Sequence, residues 1–154
     1  MNIEGVVVRK AEGRDAPILA SFNIAMALET ENKQLDPDVV VAGVRGLLAN
    51  PASGFYVVAE MDGVVTACLM ITTEWSDWRN GTFWWIQSVF VREDYRRRGL
   101  YRRLYNYVLD LALREIGVCG FRLYVEKDNH AAQATYRALE MEETHYRIFE
   151  KFLE

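Results

Sequence analysis

Six arginines, Arg92, Arg96, Arg97, Arg98, Arg102 and Arg103, fall within a dozen positions of a chain whose formal net charge is −4. Guanidinium groups gathered this closely suit a local anion, because each presents a planar fork of donors to phosphate or carboxylate oxygens. The bland alternative is a solvated arginine face, and the surroundings decide between the two. Gly99 lies inside the cluster, where an apolar run ends and a helical repeat begins. A helix start carries unpaired N–H groups and the positive end of the helix dipole, and a glycine there lets a ligand approach the backbone. No Gly-Lys-Ser/Thr follows and no Gly-x-Gly-x-x-Gly is present, so neither a Walker loop nor a dinucleotide fold is implied. The chemistry indicated is the binding of some other diphosphate ligand.

Other chemistries fit poorly. An acidic chain is a poor general binder of nucleic acid, which needs basic surface against phosphate charge. Cys68 and Cys119 sit in apolar runs without a Cys-x-x-Cys spacing and read as buried free thiols, not as a disulfide or zinc site. His130 and His145 cannot furnish a metal cluster with so few soft ligands nearby, so no metal is expected. No apolar run approaches the roughly 20 residues that span a bilayer, and Met1-Asn2-Ile3-Glu4-Gly5 lacks a signal-peptide pattern, so a cytoplasmic protein without membrane partners is expected.

The elements that must hold the arginine cluster follow from periodicity. With 154 residues, the chain suits one domain, 1–154, around one core. Val6-Val7-Val8 opens a strand, and Asp15 and Pro17 start a helix with Ile18, Leu19, Phe22 and Met26 on one stripe. Asp38 to Leu48 reads as a second helix that Asn50-Pro51 ends. Phe55 to Glu60 and Val64 to Ile71 flank Asp62-Gly63, the turn pair of a tight hairpin. Asn80-Gly81 then precedes a strand from Thr82 to Val91. Gly99 to Glu115 is an amphipathic helix with Leu100, Leu104, Val108, Leu111 and Ala112 on its apolar face, terminated by Gly117. Phe121 to Val125 reads as a strand, Asn129 to Leu139 as a helix and Glu143 to Phe152 as a last strand. The class is α+β, with a mixed, mostly antiparallel sheet of about six or seven strands and about four helices.

The run Val89-Phe90-Val91-Arg92-Glu93-Asp94-Tyr95-Arg96-Arg97-Arg98-Gly99-Leu100-Tyr101 resembles the signature of the GNAT superfamily of N-acetyltransferases, Arg/Gln-x-x-Gly-x-Gly/Ala after the fourth strand. Leu123-Tyr124-Val125 followed by Asn129, Ala132 and Tyr136 is similar to the family's downstream strand-Asn-x-x-Ala-x-x-x-Tyr pattern. Two positions depart: Tyr101 replaces the last small residue of the first motif, and Glu140 stands where a glycine usually follows the tyrosine helix. The resemblance implies an acetyl-coenzyme A-dependent transfer to an amine, by direct attack and without a metal. It implies that Ser88, Val89, Phe90 and Val91 bond the pantetheine arm through their backbone. Arg96, Arg97, Arg98, Gly99, Leu100, Tyr101, Arg102 and Arg103 would hold the phosphates. Asn129 would contact the cofactor or cap its helix, and Tyr136 would protonate the departing thiolate, as a phenol that stays protonated at neutral pH can.

The base is less legible. At the place where family members often carry a carboxylate, this chain has Trp85. Glu74 and Asp77, in the segment joining the third and fourth strands, and Glu29 with Glu31, ending the first helix, are the acids at hand. Trp75, Trp78 and Trp85, with Glu29, would wall an acceptor pocket able to stack on a small cationic amine. Peptide amines stay open as acceptors. A non-catalytic acyl-coenzyme A sensor of the same fold, or a transferase with another acyl donor, is the rival reading. The apolar segment Tyr146-Arg147-Ile148-Phe149 would pair across a two-fold axis in a homodimer.

Overall fold

Alternating apolar and polar residues in the middle of the chain build an antiparallel meander, and the first three helices pack on it. The computed structural model describes residues 4–153, so the reading at Met1 to Ile3 lies outside the described residues. They divide into two units, one ending at Leu123 and one beginning at Tyr124.

In the first unit, β1 (Val6–Lys10) leads through a 3-10 turn to α1 (Ala16–Glu31) and α2 (Pro37–Leu48). The strands β2 (Gly54–Met61), β3 (Val64–Ser76) and β4 (Gly81–Val91) follow, then a second 3-10 turn at Glu93–Tyr95, α3 (Leu100–Arg114) and β5 (Val118–Arg122). The sheet order is β1-β2-β3-β4-β5, with the first three pairings antiparallel and β4–β5 parallel. The parallel step needs a crossover, and α3 provides it.

Local chemistry sets the helix ends. Asp36 accepts from the Asp38 N–H ahead of Pro37 at the start of α2, a carboxylate cap followed by a residue whose φ is already helical. Gly99 takes the N-cap of α3 in the left-handed region, φ 76°. One face of the sheet carries α1 and α2, where Leu19, Phe22, Val44, Tyr56, Val58, Cys68 and Phe90 form a core and the Phe22 and Phe90 rings lie 4.8 Å apart. On the other face Trp84 meets Phe55 and Phe121, and Phe121 meets Tyr105 of α3.

The second unit carries α4 (His130–Ala138), whose N-cap Asn129 accepts from the Ala132 N–H at 3.1 Å. Glu140, the residue in the usual glycine position, adopts φ 64° regardless. The Met141 N–H then reaches the Tyr136 carbonyl at 3.0 Å, so the helix closes as a glycine-capped one would.

Several expectations need correction. The sheet has five strands, not six or seven. Residues 143–152 form no strand: Ile148-Phe149, Glu150-Lys151 and Phe152-Leu153 come in like pairs, whereas a strand needs alternation. The two-fold pairing rested on that strand. β5 begins at Val118, three residues ahead of the expected start, since Cys119 and Gly120 fit a close parallel pairing with β4. Cys119 is exposed, not buried, because β5 is an edge strand; Cys68 is buried as expected, and burial pushes its thiol up to about 12. Glu74 lies within β3, not in a connecting loop.

Candidate active site

A single extra residue in β4 organises the site. Cys68 faces Phe90 across the β3–β4 ladder, whereas Met70 faces Gln87, so two residues of β4 oppose one of β3. Ser88 stands at this bulge with φ 49°, a conformation that is uncommon outside glycine and recurs where a strand is re-aimed beside a functional site. The parallel ladder runs from Thr82↔Val118 to Trp85↔Arg122 and no further. From Ile86 to Val91, then, β4 pairs with β3 along one edge and has no ladder partner along the other among the described residues. An extended amide-bearing chain fits there by strand addition. Ser88, Val89, Phe90 and Val91 all lie on that edge; the Phe90 side chain itself belongs to the core.

The arginine loop follows directly. Arg97 and Gly99 are both left-handed, φ 62° and 76°, which turns the chain sharply into the first turn of α3. The N–H groups of a first turn have no partner within the helix. Among the described residues Arg97, Arg98 and Arg102 are exposed and have no acidic partner within ion-pair distance. Three uncompensated guanidiniums beside a helix start in an acidic chain make a local anion site. Arg92 and Arg98 instead lie over the Tyr95 ring, at 5.4 and 5.3 Å, so Arg98 is held by its face while its donors stay exposed.

Arg96 behaves differently from its neighbours. Its Nε donates to the Val91 carbonyl at 2.9 Å, its Nη2 donates to Glu29 Oε2 at 2.7 Å, and its guanidinium sits 5.7 Å from the Phe90 ring. It braces the end of β4 against α1 and leaves Glu29 ion-paired. Leu100 and Leu104 are buried core residues, so Leu100 offers only its backbone. The Tyr101 ring packs toward Tyr105, 6.4 Å away.

The expected acceptor wall is not assembled as a unit. Thr72 faces Trp85 and Trp75 faces Thr82, which puts Trp75 and Trp85 on opposite faces of the sheet. Trp78 is 87% exposed at the tip of the β3–β4 hairpin, and Asp77 there accepts from the Trp78 N–H at 2.8 Å. What shares a face with Trp85 is Thr72, Glu74, Phe83 and Gln87, by cross-strand pairing. Gln87 Nε2 donates to Thr72 Oγ1 at 2.6 Å. Arg122 Nη1 donates to Glu74 Oε1 at 2.6 Å, and its guanidinium lies 3.8 Å from the Phe83 ring centroid. Sequence reasoning missed Arg122; its only signal was a charged residue inside an apolar strand, Phe121-Arg122-Leu123.

In the second unit, burial raises the Tyr136 phenol above its ordinary value, which keeps it protonated across neutral pH. Asn129 spends its side-chain oxygen on the helix cap. Among the described residues no cluster of His, Cys, Asp and Glu is disposed to hold a metal ion, and no helix is long and apolar enough to cross a membrane.

The family model described as Acetyltransferase (GNAT) family matches residues 20–141. The chain belongs to the GNAT acetyltransferase family. A possible acetyltransferase from Clostridium difficile 630 is 44% identical, with 98% of this chain and 99% of that one covered and a TM-score of 0.91. Two more distant structures share the fold. AAC(6')-Iy, in complex with the bisubstrate analog CoA-S-monomethyl-acetylneamine, is 17% identical over 97% of this chain and 99% of its own, TM-score 0.75. Ribosomal-protein-alanine N-acetyltransferase from Brucella melitensis biovar Abortus 2308 is 13% identical over 97% and 100%, TM-score 0.77. Comparison with curated proteins gave no match.

Proposed function

We propose that this protein transfers an acetyl group from acetyl-coenzyme A directly to a primary amine. The observation that carries the reading is the unpaired edge of β4 from Ile86 to Val91, which runs into a loop of uncompensated arginines at a helix start. An edge of amide groups followed at once by an anion site matches a ligand with an amide-bearing arm and a diphosphate end. Acetyl-coenzyme A supplies the acyl group and a thiolate leaving group when bound.

The chain's own residues supply the rest. The β4 edge orients the arm, and Arg97, Arg98, Arg102 and the first turn of α3 neutralise the phosphates. Glu29 and Glu74 are both ion-paired, to Arg96 and to Arg122, and Glu74 is assigned to take the proton from the incoming ammonium because it shares a face of the sheet with Trp85, where the unpaired edge of β4 begins. As the C–N bond forms and the C–S bond breaks, the Tyr136 phenol gives its proton to sulfur.

Release of free thiol from acetyl-coenzyme A, followed over a panel of amines and peptide N-termini, tests this. Acceptor-dependent release is the expected result. Tight coenzyme A binding without release for any acceptor would favour the sensing role instead, and failure of calorimetry to detect coenzyme A or its acetyl ester at millimolar concentration would overturn both.

A further inference from the structure

We propose that Arg122, held by Glu74 over Phe83, is the anchor for the acceptor, and that the acceptor is a small amine that also carries an anionic group. The proposal rests on the transferase reading above and adds the substrate class to it.

Position comes first. Arg122 forms the last rung of the β4–β5 ladder, opposite Trp85, so its side chain starts where the unpaired edge of β4 begins, the edge along which an acyl donor would lie. From there it reaches to Glu74 on β3, crossing Phe83. Both members of the pair are partly exposed, with side-chain exposures of 29% and 42%, so a ligand can reach them. The aromatic floor of Phe83 and the neighbouring Trp85 on the same face suits the stem of a small molecule.

Charge selects what binds. Arg79 also approaches the Phe83 ring, at 5.0 Å, and among the described residues Asp77 in the same turn makes no ion pair with either arginine. The exchangeable pair is therefore Arg122 with Glu74. An amine with an anionic group can exchange for the resident pair one partner at a time: its anion takes Arg122 and its ammonium takes Glu74, leaving neither side chain unmatched. An amine with a neutral tail would separate Glu74 from Arg122 and offer the arginine nothing, and a polyamine likewise brings no anion to it. The exchange also frees Glu74 at the moment an ammonium arrives for deprotonation.

Thiol release is measured with matched acceptors: amino acids against their amides, aminoalkyl phosphates against the amino alcohols, and a polyamine. The anionic members are expected to show kcat/KM at least about tenfold above their neutral partners, and whichever anion leads, carboxylate or phosphate, identifies the group recognised. Arg122→Gln should abolish the preference for the anionic member, lowering its kcat/KM while the neutral one, no longer separating Glu74 from an arginine, holds level or rises, with coenzyme A affinity unchanged and Arg122→Lys restoring part of the preference. Preference of the parent for the neutral amine or polyamine, or an equal loss for both members in Arg122→Gln, would overturn the anchor. If no amine turns over, calorimetric titration of the anionic amines into the coenzyme A-loaded protein decides. Binding that needs Arg122 keeps the anchor and discards the transferase reading, and no binding discards the anchor.

Discussion

Arg96 and Glu29, separated by 67 positions in sequence, meet at 2.7 Å, and through them the C-terminal end of α1 is tied to the loop that enters α3. The same guanidinium also holds the Val91 carbonyl, so Arg96 acts on the path of the backbone while its neighbours Arg97, Arg98 and Arg102 face outward.

That division predicts two different mutant phenotypes. Arg98→Ala should weaken coenzyme A binding by about 1.5–3 kcal/mol, the worth of a charge-assisted phosphate contact, with unfolding free energy in the absence of ligand changed by less than ~0.5 kcal/mol. Arg96→Ala should lower that unfolding free energy by about 1 kcal/mol, since a half-exposed ion pair adds little and the Val91 hydrogen bond most of it. Calorimetry and urea titration separate them, with Arg114→Ala as the unaffected control in both.

Tyr136→Phe keeps the ring and removes the proton. Turnover on the best acceptor should fall by about 10²–10⁴-fold with coenzyme A affinity unchanged. Because burial raises this phenol, any alkaline loss of rate from its ionisation belongs above its reference pKa of about 10. A parent-like rate in the variant would return proton delivery to water.

The acid side of the stability profile should be set near α1. Arg9 forms a two-pronged pair with Asp15, at 2.8 and 2.9 Å, and a single bond to Glu60 at 2.9 Å, and these hydrogen bonds hold both carboxyls below their ordinary values. A lowered folded pKa contributes stability above the unfolded value of about 4, and that stability is lost as pH falls through the folded value. Asp15→Asn should cost about 3 kcal/mol at pH 7, because it leaves the Arg9 charge short of its buried partner, and should flatten the loss of stability below pH 4. Chemical denaturation at stepped pH checks both.

Glu140 holds a left-handed conformation at φ 64°, which costs a residue with a Cβ roughly 1–2 kcal/mol. Glu140→Gly should raise stability by about 1 kcal/mol, equivalent to about 2–4 °C in Tm for a chain of this size. An unchanged or lower Tm would mean that the Glu140 side chain offsets its own backbone strain.

Elements with strong periodicity were legible before the structure. The helices around Leu19, Val44 and Leu104 and the hairpin at Asp62-Gly63 lie close to where apolar spacing and turn chemistry put them, and Gly99 marks the start of α3. The arginine loop was legible for the same reason, as local composition beside a helix start. The acceptor side was not. The partners of Arg122 are fixed by the β3–β4–β5 register, a relationship between distant segments that no local window contains. Trp75, Trp78 and Trp85 looked like a single wall because sequence proximity hides alternation: Trp75 and Trp85 belong to opposite faces. Glu29 read as a free acid because nothing near it in sequence announces Arg96.

The open edge of β4 lies inside the sheet, not at its border, and this has a bearing on solubility. A bare strand edge normally recruits strands from other molecules. Here β5 already occupies that side of β4 as far as Trp85↔Arg122, so an added strand could use only the short stretch from Ile86 to Val91, interrupted by the bulge at Ser88. The fold thus keeps a row of main-chain hydrogen-bonding groups on offer to a ligand while making it too short and too irregular for another copy's strand, and it does so by ending one strand beside another that continues.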